Sequence, residues 1–444
     1  MFSKVLVAAR GEVAVRVIRA CKEMGIQTVS VFSEADRDTL AVNLADESIC
    51  IGPNSVQGSY LNMSAVLSAA LHSGAQAIHP GYGLLSENAR FARLCEQCGL
   101  TFVGPDAQVI ADMGDKDHAR RTARDYGVPV ILGSDILPTP EEAEAKAAAL
   151  GYPVLIKAKA GGGGRGIRLV KEPQLLKKEY LAASSEAELA FGDGQVYLEK
   201  YLSPVRHVEM QLLCDQQGNC VCLGARECSV QRKNQKLLEE SPSQALNETT
   251  RQRMISDCTR LMKAIGYVGV GTMEFLLDEQ GNYYFMEMNT RLQVEHPVTE
   301  FVTGIDLVKW QLRVAAGMPL TFTQDDIALR GHAIECRINA EDPTHNFRPS
   351  TGRISLLHIP GGPSVRFDTA VYQDYVVPPY YDSLIGKLIV HAPTREEAIR
   401  KMVAALCELV IEGIAHNAEL QLDILSDPRF LSGTYFTNFM EGRA

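Results

Sequence analysis

Through its first quarter the chain alternates short apolar runs with helically spaced segments, and this alternation constrains the fold more than any other feature. Residues 4–9 (KVLVAA) suit a buried strand. Val13 to Met24 then places Val13, Val17, Ala20 and Cys21 on one helical face. Gln27–Phe32, Ser48–Ile51, Gln76–Ile78 and Thr101–Val103 continue the series. Strands alternating with helices imply a parallel, doubly wound sheet. The first domain is therefore read as Rossmann-like, ending near Gly104-Pro105.

Beyond it the pattern changes. Residues 107–130 read as helical and are rich in Asp, Lys and Arg. A strand at Val154–Lys157 leads into a glycine cluster and a second strand at Ile167–Val170. Residues 196–290 are strand-rich, with one long helix around Glu248–Ile265. Asp278-Glu279-Gln280-Gly281-Asn282 between two apolar runs marks a hairpin. The last part, about 330–444, carries strands at Ala333–Ile338 and Leu384–Val390 and helices at Arg395–Glu408 and Ala418–Ile424. The fold class is thus α/β followed by α+β, with no internal repeat. A length of 444 residues fits about three domains and is enough to bury a sizeable core.

The net charge of −10 argues against a dedicated nucleic-acid binder. The apolar run at the N-terminus is shorter than a signal-peptide core, and no run approaches the roughly 18 apolar residues of a membrane span. The sequons at Asn62 and Asn247 therefore carry little weight. Eleven cysteines lie scattered without a framework, which suits a cytoplasmic location with reduced thiols. Cys95 and Cys98 form a CxxC without a second pair and read as structural. Cys220 and Cys222 read as packing residues on a strand. Cys228 lies close to the candidate site, where the chemistry needs no thiol.

The glycine cluster is Gly161-Gly162-Gly163-Gly164, flanked by Lys157, Lys159, Arg165 and Arg168. Consecutive glycines let backbone N–H groups approach an anion without Cβ obstruction. The spacing is neither GxxxxGK[ST] nor GxGxxG. A strand, loop and strand instead suggest a hairpin that folds over phosphates as a lid.

Two acidic strands follow. Glu274 sits in an apolar strand (TMEFL), and period-two geometry puts Phe285, Glu287 and Asn289 on one face of the next. Two carboxylates and an amide oxygen are hard ligands suited to Mg²⁺ shared with ATP phosphates. Arg291, Gln293, Val294 and Glu295 come next. A guanidinium and an amide beside a carboxylate suit a small planar anion, gripped by Arg and deprotonated by Glu295. His296, before Pro297 and outside any HExxH, reads as structural.

Lys116, Lys157, the glycine loop, Glu274, Glu287 and Asn289 together resemble the ATP-grasp superfamily. More narrowly, HPGYGLLSEN (79–88), MGDK (113–116), RHVE (206–209), EMNTRLQVEHPVTE (287–300), ECRINAED (335–342) and PPYYDSLIGK (378–387) resemble biotin carboxylase. The resemblance spans essentially the whole chain. It implies a Rossmann-like N-terminal domain over 1–110, an ATP-grasp domain over 111–325 with a lid at about 131–203, and a C-terminal domain over 326–444. It also implies a reaction: ATP, with Mg²⁺ or Mn²⁺, activates bicarbonate as carboxyphosphate, and the carboxyl group passes to biotin on a carrier protein.

Residue by residue, the resemblance gives Lys116, Lys157, Gly162, Gly163, Gly164, His207 and Asn234 as ATP contacts. Glu199, Lys200 and Leu202 line the adenine pocket, and Leu276 is a further ATP contact. Glu274, Glu287 and Asn289 hold the metal, the two glutamates also meeting ATP. Lys236, Arg291, Gln293 and the backbone of Val294 bind bicarbonate, Glu295 is the base, and Arg337 stabilises the biotin enolate. Ala9 replaces an Asn common in the family, Asn234 stands where many members have a His that contacts ATP, and Lys159-Ala160 replaces Ser-Gly.

With no biotin-acceptor Met-Lys-Met, the carrier and the carboxyltransferase are expected as separate chains. Acetyl-CoA carboxylase of fatty acid synthesis is the expected assembly, and a homodimer, without nucleic acid or membrane, the expected state. The alternatives are another acyl-CoA carboxylase, a ligase for another acceptor, and an inactive nucleotide-binding paralogue, the last disfavoured by the intact metal-ligand set.

Overall fold

The computed structural model describes residues 1–159 and 166–442. The N-terminal alternation folds as five strands, β1 (Lys4–Val7), β2 (Gln27–Ser33), β3 (Glu47–Gly52), β4 (Ala77–His79) and β5 (Thr101–Phe102). They pair in parallel in the order β3-β2-β1-β4-β5, the doubly wound arrangement. Val5, Leu6 and Val7 are fully buried, because a parallel strand is covered on both faces. The two sequon asparagines serve as helix N-caps: Asn62 accepts from the Ala65 N–H and Asn247 from the Thr250 N–H.

The helical stretch expected over 107–130 is two helices, Ala107–Gly114 and Lys116–Asp125. Asp115 divides them. Its extended backbone ends the first helix, and its carboxylate accepts from the Asp117 and His118 N–H groups to start the second. After them comes a small sheet of β6 (Val154–Ala158), β7 (Ile167–Val170) and β8 (Val196–Lys200), antiparallel in the order β7-β6-β8. β6 and β7 are the two arms of the expected lid hairpin.

One antiparallel sheet carries the rest of the site. It contains β9 (Val205–Cys214), β10 (Cys220–Arg232), β11 (Gln235–Ser241), β12 (Gly269–Asp278), β13 (Tyr283–Asn289) and β14 (His332–Asn339), with two further strands, Leu384–Ala392 and Val365–Thr369. The order is β13-β12-β9-β10-β11-β14, then Leu384–Ala392, then Val365–Thr369. β11 pairs with β14 through Leu238↔Cys336 and Glu239↔Glu335. The central and C-terminal parts of the chain therefore share a continuous sheet, and Arg337 is held rigidly relative to Lys236.

The hairpin after β12 forms as its sequence requires. Asp278 Oδ1 accepts from the N–H groups of Gln280 and Asn282, and Gly281 supplies a φ of +81°. Phe285 does not share a face with Glu287. Glu274 pairs with Glu287 and Phe275 with Phe285, so Met286 is an extra residue that bulges out and inverts the alternation. Phe285 packs on Phe275 in the core, with ring centroids 6.1 Å apart.

Candidate active site

The fold builds one large cleft of about 1370 Å³ between the lid, the central sheet and the N-terminal domain. Lys116, Lys157, Glu199, Lys200, Leu202, His207, Asn234, Lys236, Glu274, Leu276, Glu287, Asn289, Arg291, Gln293, Val294, Glu295 and Arg337 all line it. Gly162, Gly163 and Gly164 lie outside the described residues, as do the Ala160 departure and Arg165.

Strand register explains the convergence. On β9, His207, Glu209 and Gln211 alternate on one face. The register sets Leu276 opposite His207, Glu274 opposite Glu209 and Thr272 opposite Gln211. β13 adds Glu287 opposite Glu274 and Asn289 opposite Thr272. A patch of polar side chains is thereby fixed on adjacent strands, about 5 Å apart from strand to strand.

Lys236 is the hub. Its Nζ lies 2.7 Å from Glu295 Oε1 and 3.3 Å from Glu274 Oε1, and it also contacts Glu209. His207 Nε2 lies 2.9 Å from Glu274 Oε2. Behind them Arg226 is wholly buried, bonded to Glu209 Oε2 at 3.0 Å, Thr272 Oγ1 at 3.2 Å and Thr299 Oγ1 at 3.0 Å. Arg226 also holds the side-chain oxygens of Gln211 and Gln293 at 2.5 Å. Arg337 Nε donates to Glu239 at 2.7 Å, and its Nη2 reaches Glu295 Oε2 at 3.0 Å. Glu295 thus bridges Lys236 and Arg337, which stand on different strands.

These contacts set the protonation states. Burial disfavours the Glu295 carboxylate, but Lys236, then Arg337 and Arg226, hold it well below the ordinary carboxylate range. Burial likewise opposes charge on Glu274, which Lys236 and His207 overcome. Burial would lower the His207 pKa, yet Glu274 raises it above the usual imidazole value. For Glu209 burial wins over Lys236 and pushes the carboxyl up to about 7. Burial pushes the Cys228 thiol well up, consistent with a packing residue rather than a nucleophile.

At the nucleotide end Lys116 Nζ lies 3.2 Å from Glu287 Oε2, and Lys157 pairs with Glu199. The Lys200 ammonium holds the lid carbonyls of Gly151 (2.7 Å) and Tyr152 (3.2 Å). Asn234 occupies the two-residue turn between β10 and β11, with φ of +49° at Lys233 and +65° at Asn234. This turn needs left-handed residues, which Asn tolerates well.

At the anion end Arg291 Nε donates to Glu87 Oε2 at 2.7 Å, and its Nη2 to Asn289 Oδ1 at 2.9 Å. Gln293 Nε2 and Asn289 Nδ2 each donate to Glu274 Oε1 at 2.7 Å. Each of these side chains is thus held in direction by a neighbour.

For a divalent cation, Glu274 and Glu287 offer carboxylate oxygens from paired positions and Asn289 an amide oxygen two residues along from Glu287, a set that suits a hard ion. Glu287 and Lys116 remain about 40% exposed, open to exchange partners (37% and 43%). The tighter cluster of His207, Glu209 and Glu274 has its ligand atoms within 4.8 Å of one another, but the Lys236 ammonium already serves it.

Sequence reasoning gave no role to Glu209, Arg226, Glu239, Glu87 or Lys387. Glu209 was within reach, since it follows His207 by two along a strand. Glu87 and Lys387 lie inside runs that carried the resemblance. Arg226 opens the basic segment Arg226 to Lys236, which read as functional only through Lys236, and Glu239 left no signal, because its partner comes from another strand.

The comparisons extend along almost the whole chain. Residues 1–110 match the biotin carboxylase N-terminal domain, 115–323 the ATP-binding domain of the carbamoyl-phosphate synthase L chain, and 335–442 the biotin carboxylase C-terminal domain. The chain is 53% identical to biotin carboxylase of Nostoc sp. over 441 residues, 99% of each chain. It is also 53% identical to biotin carboxylase 1 of Bacillus subtilis over 443 residues, 99% of this chain and 98% of that one. Among solved structures, the biotin carboxylase–β-γ-ATP complex from Campylobacter jejuni superposes with a TM-score of 0.96 at 48% identity, covering 99% and 98% of the two chains. The biotin carboxylase domain dimer of Hydrogenobacter thermophilus 2-oxoglutarate carboxylase, solved with MgADP, ADP and bicarbonate, gives 0.95 at 50% identity, covering 99% and 97%. With polar residues from every part of the chain converging on one cleft, and relatives matched from end to end, the chain belongs to the biotin carboxylase family.

Proposed function

We propose that this chain uses ATP and bicarbonate to carboxylate biotin. The observation that carries the reading is the Glu295 bridge: one carboxylate, ionised by its surroundings, spans Lys236 Nζ at 2.7 Å and Arg337 Nη2 at 3.0 Å. Lys236 also touches Glu274 at 3.3 Å, so one cation joins the metal-side acid to the proposed base. A base must be unprotonated before it acts, and Lys236 and Arg337 keep Glu295 so. An entering bicarbonate draws Lys236 towards its own charge. This weakens the hold of Lys236 on Glu295 and raises the proton affinity of the carboxylate at the moment a proton arrives.

Phosphoryl transfer needs positioning and charge neutralisation more than covalent chemistry. Lys116 and Lys157, at the cleft wall, would meet the phosphates, and the glycine run Gly162–Gly164 would join them. Glu199, Lys200, Leu202 and Leu276 would line the base pocket, and His207 and Asn234 would contact the nucleotide. Glu274, Glu287 and Asn289 would hold Mg²⁺ or Mn²⁺, which when bound neutralises phosphate charge. Lys236, Arg291, Gln293 and the Val294 N–H would bind bicarbonate. Arg337, with one nitrogen on Glu239 and another on Glu295, would turn to the ureido oxygen of biotin as negative charge develops there.

On this reading the domains run over 1–110, 111–325 with the lid at about 131–203, and 326–444. The partners are a biotin carboxyl carrier protein and carboxyltransferase subunits, in a cytoplasmic acetyl-CoA carboxylase, and the active species is a homodimer. Relatives named as chloroplastic biotin carboxylases suit a place in fatty acid synthesis, as does the dimer of the thermophilic relative for the oligomeric state. No helix among the described residues is long and apolar enough to cross a membrane.

The test is ADP release measured with and without bicarbonate and free biotin. Bicarbonate-dependent release stimulated by biotin is expected, and its absence would refute the reading.

A further inference from the structure

Lys387 is completely buried, yet it is a charged side chain given no part in the chemistry above. Burying an ammonium costs several kcal/mol unless it is well paired. Its Nζ donates to the main-chain carbonyl of Val294 at 2.7 Å and lies 3.1 Å from Glu12 Oε1. Glu12 in turn accepts from the Tyr82 hydroxyl. Three distant parts of the chain meet at this one nitrogen: the N-terminal domain, the anion-binding loop and the C-terminal strand Leu384–Ala392.

Val294 stands one residue before the N-cap of the helix His296–Thr303, so its carbonyl lies outside the helix ladder, which opens with the Val298 N–H turned to Glu295 O at 3.4 Å. Lys387 supplies that carbonyl with a donor. It also pairs directly with Arg337 across the sheet, so the two side chains leave on the same face. Neighbouring cations on neighbouring strands thus hold consecutive residues of the loop, Arg337 the Glu295 carboxylate and Lys387 the Val294 carbonyl.

We infer that Lys387 is a positioning residue for the anion site: it fixes the 293–295 backbone so that the Val294 N–H and the Glu295 carboxylate face a bound bicarbonate. The inference rests on the functional reading above. A purely structural role, in which Lys387 only neutralises Glu12, is the rival explanation.

Two variants separate these roles. Lys387→Met removes the cation and strands Glu12. Lys387→Met combined with Glu12→Gln removes both partners of the pair, so no Glu12 charge is left stranded even if the single variant unfolds. Positioning predicts that the double variant has a bicarbonate KM raised about tenfold or more, as loss of a charge-assisted hydrogen bond implies, with the ATP KM unchanged. A double variant with a wild-type bicarbonate KM overturns the inference, and so does a parallel rise in both constants. Amide hydrogen exchange over 290–298 gives a readout independent of substrate. Exchange at Val294 and Glu295 should quicken in the double variant, and unchanged exchange overturns the inference. Wild-type protein lacking bicarbonate-dependent ADP release would instead count against the functional reading, leaving the exchange result to judge Lys387.

Discussion

Replacing Glu240 by glutamine should loosen the C-terminal third of the chain from the central sheet, with a size that depends on pH. Glu240 is buried on β11, and Arg395 reaches it at 2.7 and 3.1 Å, His332 at 2.7 Å, with the Tyr435 hydroxyl also bonded. Arg395 extends the contact to the carbonyls of Phe430 at 2.8 Å and Leu431 at 3.0 Å. Burial alone would raise the Glu240 pKa, but His332 and Arg395 bring it down from 4.5 to about 2. A depressed carboxylate pKa stabilises the fold above the unfolded value and loses that stabilisation as pH falls towards the folded value. The fall from 4.5 to about 2 corresponds to about 3 kcal/mol at neutral pH. Removing one partner from a buried ion pair gives the same range, about 3–5 kcal/mol. Glu240→Gln keeps an acceptor oxygen and loses the charge. Urea unfolding followed by circular dichroism should show it less stable by about 3 kcal/mol at neutral pH, the gap shrinking as pH drops below about 4.5. A gap under about 1 kcal/mol at neutral pH, or one that stays constant with pH, would refute the argument.

The remaining predictions concern the site. Glu295→Gln should fold and bind ATP but lose roughly 10²–10⁴ in bicarbonate-dependent ADP release, the usual loss on removing a positioned base; near-normal turnover would remove Glu295 from that role. Arg337→Ala should likewise bind ATP and lose biotin carboxylation, which isotopic bicarbonate incorporation would measure. Asn234→Val should cost roughly 1–2 kcal/mol, because a β-branched residue resists the left-handed turn, whereas Asn234→Gly should unfold with the wild-type midpoint.

Much of the fold was legible because periodicity is local. The strand–helix alternation before Gly104 gave the parallel sheet, and the turn at Asp278–Asn282 gave the hairpin. What alternation does not encode is interruption. Met286 bulges, and one extra residue reverses which side chains face the cleft, sending Phe285 to the core while Glu287 stays in the site. Asp115 reads as one more polar residue in a helical stretch, yet its carboxylate divides that stretch in two. The join of β11 to β14 is also long-range, set by a register between segments almost a hundred residues apart, such as Leu238 and Cys336.

The site residues divide along the same line. Those proposed to touch substrate stood out in sequence because substrate chemistry dictates residue type. Those that aim them did not, because any donor or acceptor arriving from another strand would serve. The buried set of Arg226, Glu209, Glu239 and Lys387 belongs to the second kind. Apolar side chains of similar volume would often stabilise a fold as well or better than such buried ion pairs. The advantage of charge here lies in placement. Glu295 must remain ionised in a dry interior, beside cations that can turn to an incoming anion. Lys236 and Arg337 provide that only while Glu209 and Glu239 hold them in place from behind. The second layer of ions makes the first layer poised rather than merely paired, and it explains why this cleft keeps so many charges out of water.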